Sequence, residues 1–446
     1  MSSPAKGSWK ALLHYVVPSV SAMVLFSSYT LVDGIFVAKG VGELALASVN
    51  LALPFVNLLS GIAILLSMGT STRCAFALGQ GQRDKASALF SQTVAVIVAL
   101  SLLITAAVSL FAPSLAHLLG ARAQTAAYTT EYLRIVGLFS LCFILSYCLE
   151  NMVKVDGAPH LSVIGVAISF AVNVGLDYLF ILRLHWGVAG AAWATGLAQL
   201  ASMLFFLCRF LGKKSTLRFC PFRLRLGELG RILPLGVADC SIELMLGFLT
   251  MLYNHVIPSL LGEASLATYA VIAYISLLVT MLMQGVAHGL MPLVSLCAGR
   301  GEEAVVRQHL RQGLLLTLGL GLVVELLCQL APGALTALLL ERSSPLFPQT
   351  VSALRLYALS FLLSGVSIVL AGYFAALGKA GSSVLLSLGR GFVFLPGAVL
   401  LVSALNGSVS IWLAALVGEL FSLALAALLL KRNSQALGQT PAAAAA

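Results

Sequence analysis

Twelve apolar runs, each longer than twenty residues, follow one another along this chain, and no other feature constrains its fold as much. They fall at 11–36, 44–70, 87–111, 127–152, 160–182 and 187–211. After a basic stretch they resume at 229–257, 265–291, 308–331, 351–375, 381–404 and 408–430. About 20 apolar residues of helix cross a hydrocarbon core of about 30 Å. Backbone amides in lipid must be paired within the protein, which leaves helices or a closed barrel. The runs are continuous rather than alternating, so the reading is helical. Only 9% of the 446 residues are charged and mean hydropathy is +1.01, whereas a soluble domain carries roughly 25% charge. The expected fold class is therefore all-α integral membrane, with twelve transmembrane helices and both termini on one side.

Lysine and arginine orient the spans. Of the 26, Lys39, Arg122, Arg183 and Arg342 lie in one set of loops, and Arg134, Arg355 and Arg390 lie within or at the ends of spans. The other nineteen lie in the termini and the alternate loops. Basic residues are retained on the cytoplasmic side. Both termini are thus expected in the cytoplasm, in a multi-pass protein of the inner (plasma) membrane. The net charge of +10 is scattered between apolar runs and forms no single basic domain, which argues against nucleic acid as a partner. The start, Met1 to Lys10, leads into a run too long for a cleaved signal peptide. The eight cysteines lie mostly in apolar runs, as Cys74, Cys142, Cys148 and Cys208 do, and read as small buried hydrophobes.

A shift of 220 residues lays one half of the chain on the other. Gly42-Glu43 falls on Gly262-Glu263, Leu46-Ala47 on Leu266-Ala267, Gly69 on Gly289, Gly79 on Gly299 and Gly81 on Gly301. With one residue of slippage, Leu133-Arg134 falls on Leu354-Arg355 and Gly157 on Gly378. Six spans per half is an even number, so the second half starts on the same side as the first. The repeats are parallel, related by a pseudo-two-fold axis along the membrane normal, an architecture of transporters. The expected boundaries are an N-lobe over 1–212, a cytoplasmic linker over 213–228, a C-lobe over 229–432 and a disordered tail over 433–446. The linker region carries Lys213, Lys214, Arg218, Arg223 and Arg225. Connection and topology explain it first, and phospholipid contact second.

Charges inside spans are costly and are read as functional by default. Asp33, Glu150, Asp177, Asp239, Glu243, Glu325 and Glu419 qualify. Asn173 and Asp177 are four apart and share one helix face. Asp33, Asn173, Asp177 and Thr195 fall at similar depth in the first half. Two carboxylates together in low dielectric repel, so one holds a proton or both share a cation. Carboxylate, amide and hydroxyl oxygens suit a hard cation such as Na⁺. A buried hydrogen bond or an interfacial anchor is the competing account of each residue alone. In the second half Glu243 is the deeper candidate, with Asp239 one turn before it. Glu150 and Lys154 have the spacing of a structural i,i+4 pair. No polar neighbour of Glu325 or Glu419 stands out at helical spacing, and Arg390 is a candidate counter-charge. Met245, Phe248, Met251, Met281 and Met283 are candidates for a greasy cavity, against simple packing.

Several segments resemble the multidrug and toxic compound extrusion (MATE) transporters. Leu31-Val32-Asp33-Gly34-Ile35-Phe36-Val37, then Gly42-Glu43-Leu44-Ala45-Leu46-Ala47 and Pro54, resembles that family's first two helices. Gly69 followed by Ala77-Leu78-Gly79-Gln80-Gly81 is similar to it, as is Lys154-Val155-Asp156-Gly157-Ala158-Pro159. So are Asn173, Asp177-Tyr178, Trp186-Gly187-Val188-Ala189-Gly190-Ala191-Ala192 with Ala194-Thr195, and Arg390 with Pro396. The resemblance covers nearly the whole chain.

It implies two six-helix lobes in a V and export of organic cations or other amphipathic, drug-like compounds by antiport with H⁺ or Na⁺. It also implies an N-lobe cation or proton site at Asp33, Asn173, Asp177 and Thr195, joined by Tyr132. Glu243, with Asp239 beside it, matches a second-lobe proton or substrate site of another branch. The tenth span, around Leu363 to Tyr373, carries no acid, so the resemblance does not extend to a full C-lobe cation site. Partners are then the bilayer and small molecules, with no cofactor beyond the coupling ion, no metal beyond Na⁺ at Asp33 and Asp177, and a monomer expected. Two other functions compete: a flippase for a lipid-linked saccharide, from the wider superfamily, and a membrane-embedded enzyme. The seven histidines form no HExxH or similar motif, which weighs against the enzyme.

Overall fold

The computed structural model describes residues 8–41, 43–122, 125–405 and 410–437, and among these every regular element is helical. The α-helices are α1 (Trp9–Gly40), α2 (Glu43–Gly79), α3 (Arg83–Leu118), α4 (Ala126–Leu138), α5 (Ser140–Val155), α6 (His160–Asp177), α7 (Gly187–Leu211) and α8 (Leu226–Leu261). They continue as α9 (Leu266–Gly299), α10 (Glu303–Leu330), α11 (Pro332–Ala337), α12 (Phe347–Ala358), α13 (Phe361–Ala376), α14 (Ala380–Leu388), α15 (Leu395–Ala404) and α16 (Ala414–Leu437). Among the described residues ten helices are long and apolar enough to span a membrane, and twelve spans result when each of two bent pairs counts as one. The disordered tail expected over 433–446 lies outside the described residues after Leu437, up to which α16 continues.

The two bent pairs show the repeat in three dimensions. The pair α4–α5 bends by 49° and the pair α12–α13 by 42°. Serine follows the break in the first pair (Ser140) and stands in it in the second (Ser360), 220 residues on. The Ser360 hydroxyl donates to the Tyr357 carbonyl, and that of Ser140 donates to the Ser101 carbonyl on α3. Such side-chain bonds compete with the helical ladder and favour a bend. The helix starts Arg83 and Glu303, and His160 and Ala380, are also 220 apart. Gly81 and Gly301 both adopt positive φ, +77° and +72°, in the turns after α2 and α9. Only glycine takes that conformation without strain.

The chain forms two compact units. One comprises residues 1–240 with 288–309 and 376–378, and the other comprises 241–287, 310–375 and 379–446. In the first, Gly79 and Gly299 meet where α2 and α9 end: a Cβ on Gly79 would strike the Leu296 carbonyl and come within 2.9 Å of the Gly299 Cα. A Cβ on Gly69 would likewise strike the Ile232 carbonyl of α8. Close approach of this kind replaces the hydrophobic effect, which is absent between helices in lipid. Leucines on the outward face of α3, such as Leu102, Leu103 and Leu110, are left exposed. Cys74, Cys142 and Cys148 are buried, but Cys208 is exposed.

Candidate functional site

Four helices of the first unit bring the predicted N-lobe residues together. Asp33 comes from α1, Tyr132 from α4, Asn173 and Asp177 from α6, and Thr195 from α7. Asn173 and Asp177 are fully buried; Tyr132 and Thr195 are nearly so. The Asp33 carboxyl lies beside those of Asp177 and the Asn173 amide. Tyr132 is close to both carboxyls. Asn173 Nδ2 donates to Thr195 Oγ1 at 3.5 Å. Among the described residues, Asp33 Oδ1, both Asp177 oxygens and Asn173 Oδ1 are buried without a hydrogen-bond partner, and neither aspartate has an ion pair with Lys, Arg or His. A buried polar atom is nearly always paired. A site of unpaired carboxyl and amide oxygens with a hydroxyl beside them has the chemistry to take one proton or one hard cation.

The backbone contributes to the same place. Immediately after Asp177, α6 widens into a π-helical turn over Tyr178–Arg183. A second π turn, Gly389–Phe394, contains Arg390 and links α14 to α15. Extra residues of this kind occur often at functional sites. No local pattern in the sequence signals them.

The second-lobe candidates separate. Asp239 belongs to the first unit and Glu243, one turn on, to the second. Asp239 is buried, with Oδ1 3.1 Å from Nε2 of the buried His288 on α9 and Oδ2 without a partner. His288 stands in the apolar run 265–291 with no local motif to single it out. Glu243 is half-buried.

In the second unit, Glu419 takes its polar environment from distant helices, and the candidate counter-charge Arg390 is its ion-pair partner. Arg390 Nε donates to its two oxygens at 3.0 and 3.2 Å, and Nη2 to Oε1 at 2.6 Å. Ser367, from the tenth span, donates to Oε2 at 3.2 Å. All three side chains are buried. Glu325 likewise has a partner at helical spacing, the Gln329 amide at 2.7 Å. The expected Glu150–Lys154 pair is present at 2.7 Å, with Lys154 buried. Beside Arg390 lies a cavity of about 50 Å³ lined by Met245, Tyr253, Ser276, Tyr357 and Glu419 among others. The Tyr253 and Ser276 hydroxyls are buried there without partners among the described residues. A cavity of this size and polarity has room for ordered water. Tyr253 stacks on Tyr269 at 4.7 Å, with Tyr357 at 6.4 Å, so aromatics scattered in the sequence are gathered in space. Of the greasy-cavity candidates only Met245 lines this cavity; Met251 and Phe248 are exposed.

A family model described as MatE matches residues 18–179 and 240–400. The chain belongs to the MatE family. The multidrug export protein MepA of Staphylococcus aureus (strain bovine RF122 / ET3-1) is 24% identical over 429 residues, covering 95% of this chain and 93% of that protein. The protein of the same name from Staphylococcus saprophyticus is 24% identical over 426 residues, with 95% and 93% covered. Among solved structures, a MATE in complex with MaL6 superposes with a TM-score of 0.91 at 21% identity, covering 97% of both chains. An outward-facing multidrug resistance MATE family transporter of the MOP superfamily gives 0.90 at 22%, again over 97% of both. These likenesses establish the MatE fold of twelve helices in two lobes. Among the described residues no cluster of three or more His, Cys, Asp or Glu side chains forms a metal centre.

Proposed function

We propose that this MatE protein is a secondary active exporter of organic cations and other amphipathic compounds, exchanged for H⁺ or Na⁺ by alternating access. Asp33 and Asp177 are its coupling carboxyls; Asn173, Thr195 and Tyr132 shape the site around them. The observation that carries this reading is the neighbouring carboxyl pair in which Asp33 Oδ1 and both Asp177 oxygens are buried without partners among the described residues. One bound positive charge relieves the repulsion and desolvation of two neighbouring carboxylates. A conformation that dehydrates the pair therefore favours the loaded form. A ligand shifts such an equilibrium only through its differential affinity for the two states, and the ion and the drug do so in opposite directions. Both termini face the cytoplasm in this reading, the protein acts as a monomer, and Glu243 serves as a second-lobe proton or substrate residue.

The test uses the purified chain in proteoliposomes loaded with a fluorescent organic cation. An imposed pH gradient and an imposed Na⁺ gradient are applied separately. Exchange driven by one gradient and abolished by Asp33→Asn or Asp177→Asn, at unchanged expression, supports the proposal. Full exchange by both variants, or movement of a lipid-linked saccharide in place of the dye, rejects it.

A further inference from the structure

The segment joining α7 to α8 reads in the sequence as a spacer, but it is tied down along its length. Asp156, at the end of α5, is the main tie. Its Oδ1 accepts from the Ser215 hydroxyl at 3.0 Å and from the backbone N–H groups of Thr216 and Leu217; its Oδ2 accepts from Arg209 Nε and Nη2 at 2.9 and 2.7 Å. Further along, Ser87 accepts from the Arg218 N–H, Ser91 from the Cys220 N–H and Gln92 from the Arg225 N–H, at 3.3, 3.0 and 3.3 Å. The Gln92 amide also donates back to the Arg225 carbonyl at 3.1 Å. Ser215 and Leu217 are buried beneath the strap.

From Thr216 to Arg225 these bonds use the strap's backbone, which leaves the basic side chains facing out. Lys213, Lys214, Arg218, Arg223 and Arg225 are all exposed, and no acid lies between Leu211 and Gly227. Phe219, Phe222 and Leu224 are exposed among them. The acids bordering the strap are already engaged: Asp156 by Arg209, and Glu228 by Arg73 at 2.6 Å and Arg231 at 3.4 Å. Asp84 stands between the exposed Arg83 and Lys85. The strap runs from the end of one membrane span, Leu211, to the start of the next, Leu226. It exposes five cations and three apolar side chains.

We infer that this strap is a docking surface for the anionic phospholipid headgroups of the leaflet on that side, with Phe219, Phe222 and Leu224 resting in the interface between the basic residues. Juxtamembrane basic clusters are drawn to anionic lipid over a short, salt-screened range, and aromatic rings favour the headgroup level. A strap fixed by Asp156, Ser87, Ser91 and Gln92 presents its cations without having to be ordered first, which conserves binding free energy.

The test requires no transport, so it succeeds or fails independently of the exporter proposal. The full chain is placed in nanodiscs of phosphatidylcholine alone or of phosphatidylcholine with phosphatidylglycerol. Retained phosphatidylglycerol is counted by native mass spectrometry, and the thermal midpoint is measured in both lipids. The wild-type chain is expected to retain phosphatidylglycerol and to gain several degrees in its presence, a gain that high salt removes. A chain with all five basic residues changed to Gln is expected to lose most of both effects; Lys431→Gln with Arg432→Gln, elsewhere on the chain, keeps them. A milder variant, Lys213→Gln with Lys214→Gln, gives an intermediate result and guards against misfolding of the fivefold one. Equal retention by wild-type and fivefold variants overturns the inference. So does displacement of the bound lipid by inorganic phosphate, which would make this a soluble-anion site.

Discussion

Replacing Glu419 by Ala tests the reading of the second unit's charge centre. The substitution removes three N–H···O contacts from Arg390, at 2.6 to 3.2 Å, and one hydroxyl contact from Ser367. It leaves a guanidinium only 5% exposed whose remaining hydrogen-bond contact among the described residues is the Met245 sulfur at 3.8 Å. Breaking one partner out of a buried pair costs about 3–5 kcal/mol, because the other charge stays buried and uncompensated. Ser367→Ala removes a single bond to a carboxylate and is expected to cost about 1.5–3 kcal/mol. Removing both charges at once, by Arg390→Met with Glu419→Leu, deletes the attraction and the desolvation penalty together. That double variant is expected to be more stable than Arg390→Met alone or Glu419→Leu alone, since apolar replacement of a buried pair is often neutral. Unfolding midpoints of the purified protein in mixed micelles with rising dodecyl sulfate give the full cycle. Single variants that lose less than about 1 kcal/mol, or a double variant equal to the sum of the singles, would refute the coupling.

Asp156→Ala unties the strap and is expected to speed tryptic cleavage at Lys213, Lys214 and Arg218 several-fold, read on a gel against time. Gly79→Val or Gly299→Val places a branched side chain against backbone at the α2–α9 crossing; backbone moves less readily than a side chain, and a loss of about 1–3 kcal/mol is expected, visible as a lower thermal midpoint. Gly81→Ala, with open space around its Cβ but φ at +77°, carries only the smaller penalty of a left-handed residue, about 1–2 kcal/mol, in the same assay. His288→Leu leaves both Asp239 oxygens without a partner among the described residues and is expected to destabilise by about 1–3 kcal/mol; Asp239→Asn in the same background is expected to restore part of that loss.

Much of this protein was legible in one dimension because its causes are local. Span length follows from bilayer thickness and the helical rise, so the apolar runs marked the twelve spans before any packing was known. The 220-residue register followed from glycines whose positive φ or close approach admits no substitute. Gly81 and Gly301 share one backbone conformation, and Gly79 and Gly299 meet one another. Asn173 and Asp177 were placed on one face by periodicity alone, and the depth of Asp33 and Thr195 by counting residues from the span ends. What could not be read are the partnerships between helices. Arg390 and Glu419 are 29 residues apart, and Asp239 and His288 are 49 apart. Whether such side chains face each other depends on the rotation and crossing of helices that lipid, unlike water, does not select by hydrophobicity. The same holds for the stacked tyrosines, for the π turns beside Asp177 and at Arg390, and for Asp156, whose role as the anchor of a distant strap has no local signature. Sequence by itself determined how many helices cross the membrane and singled out within them carboxylates most of which lie buried; tertiary packing alone decided which of those residues meet, because only packing sets the angles between the helices.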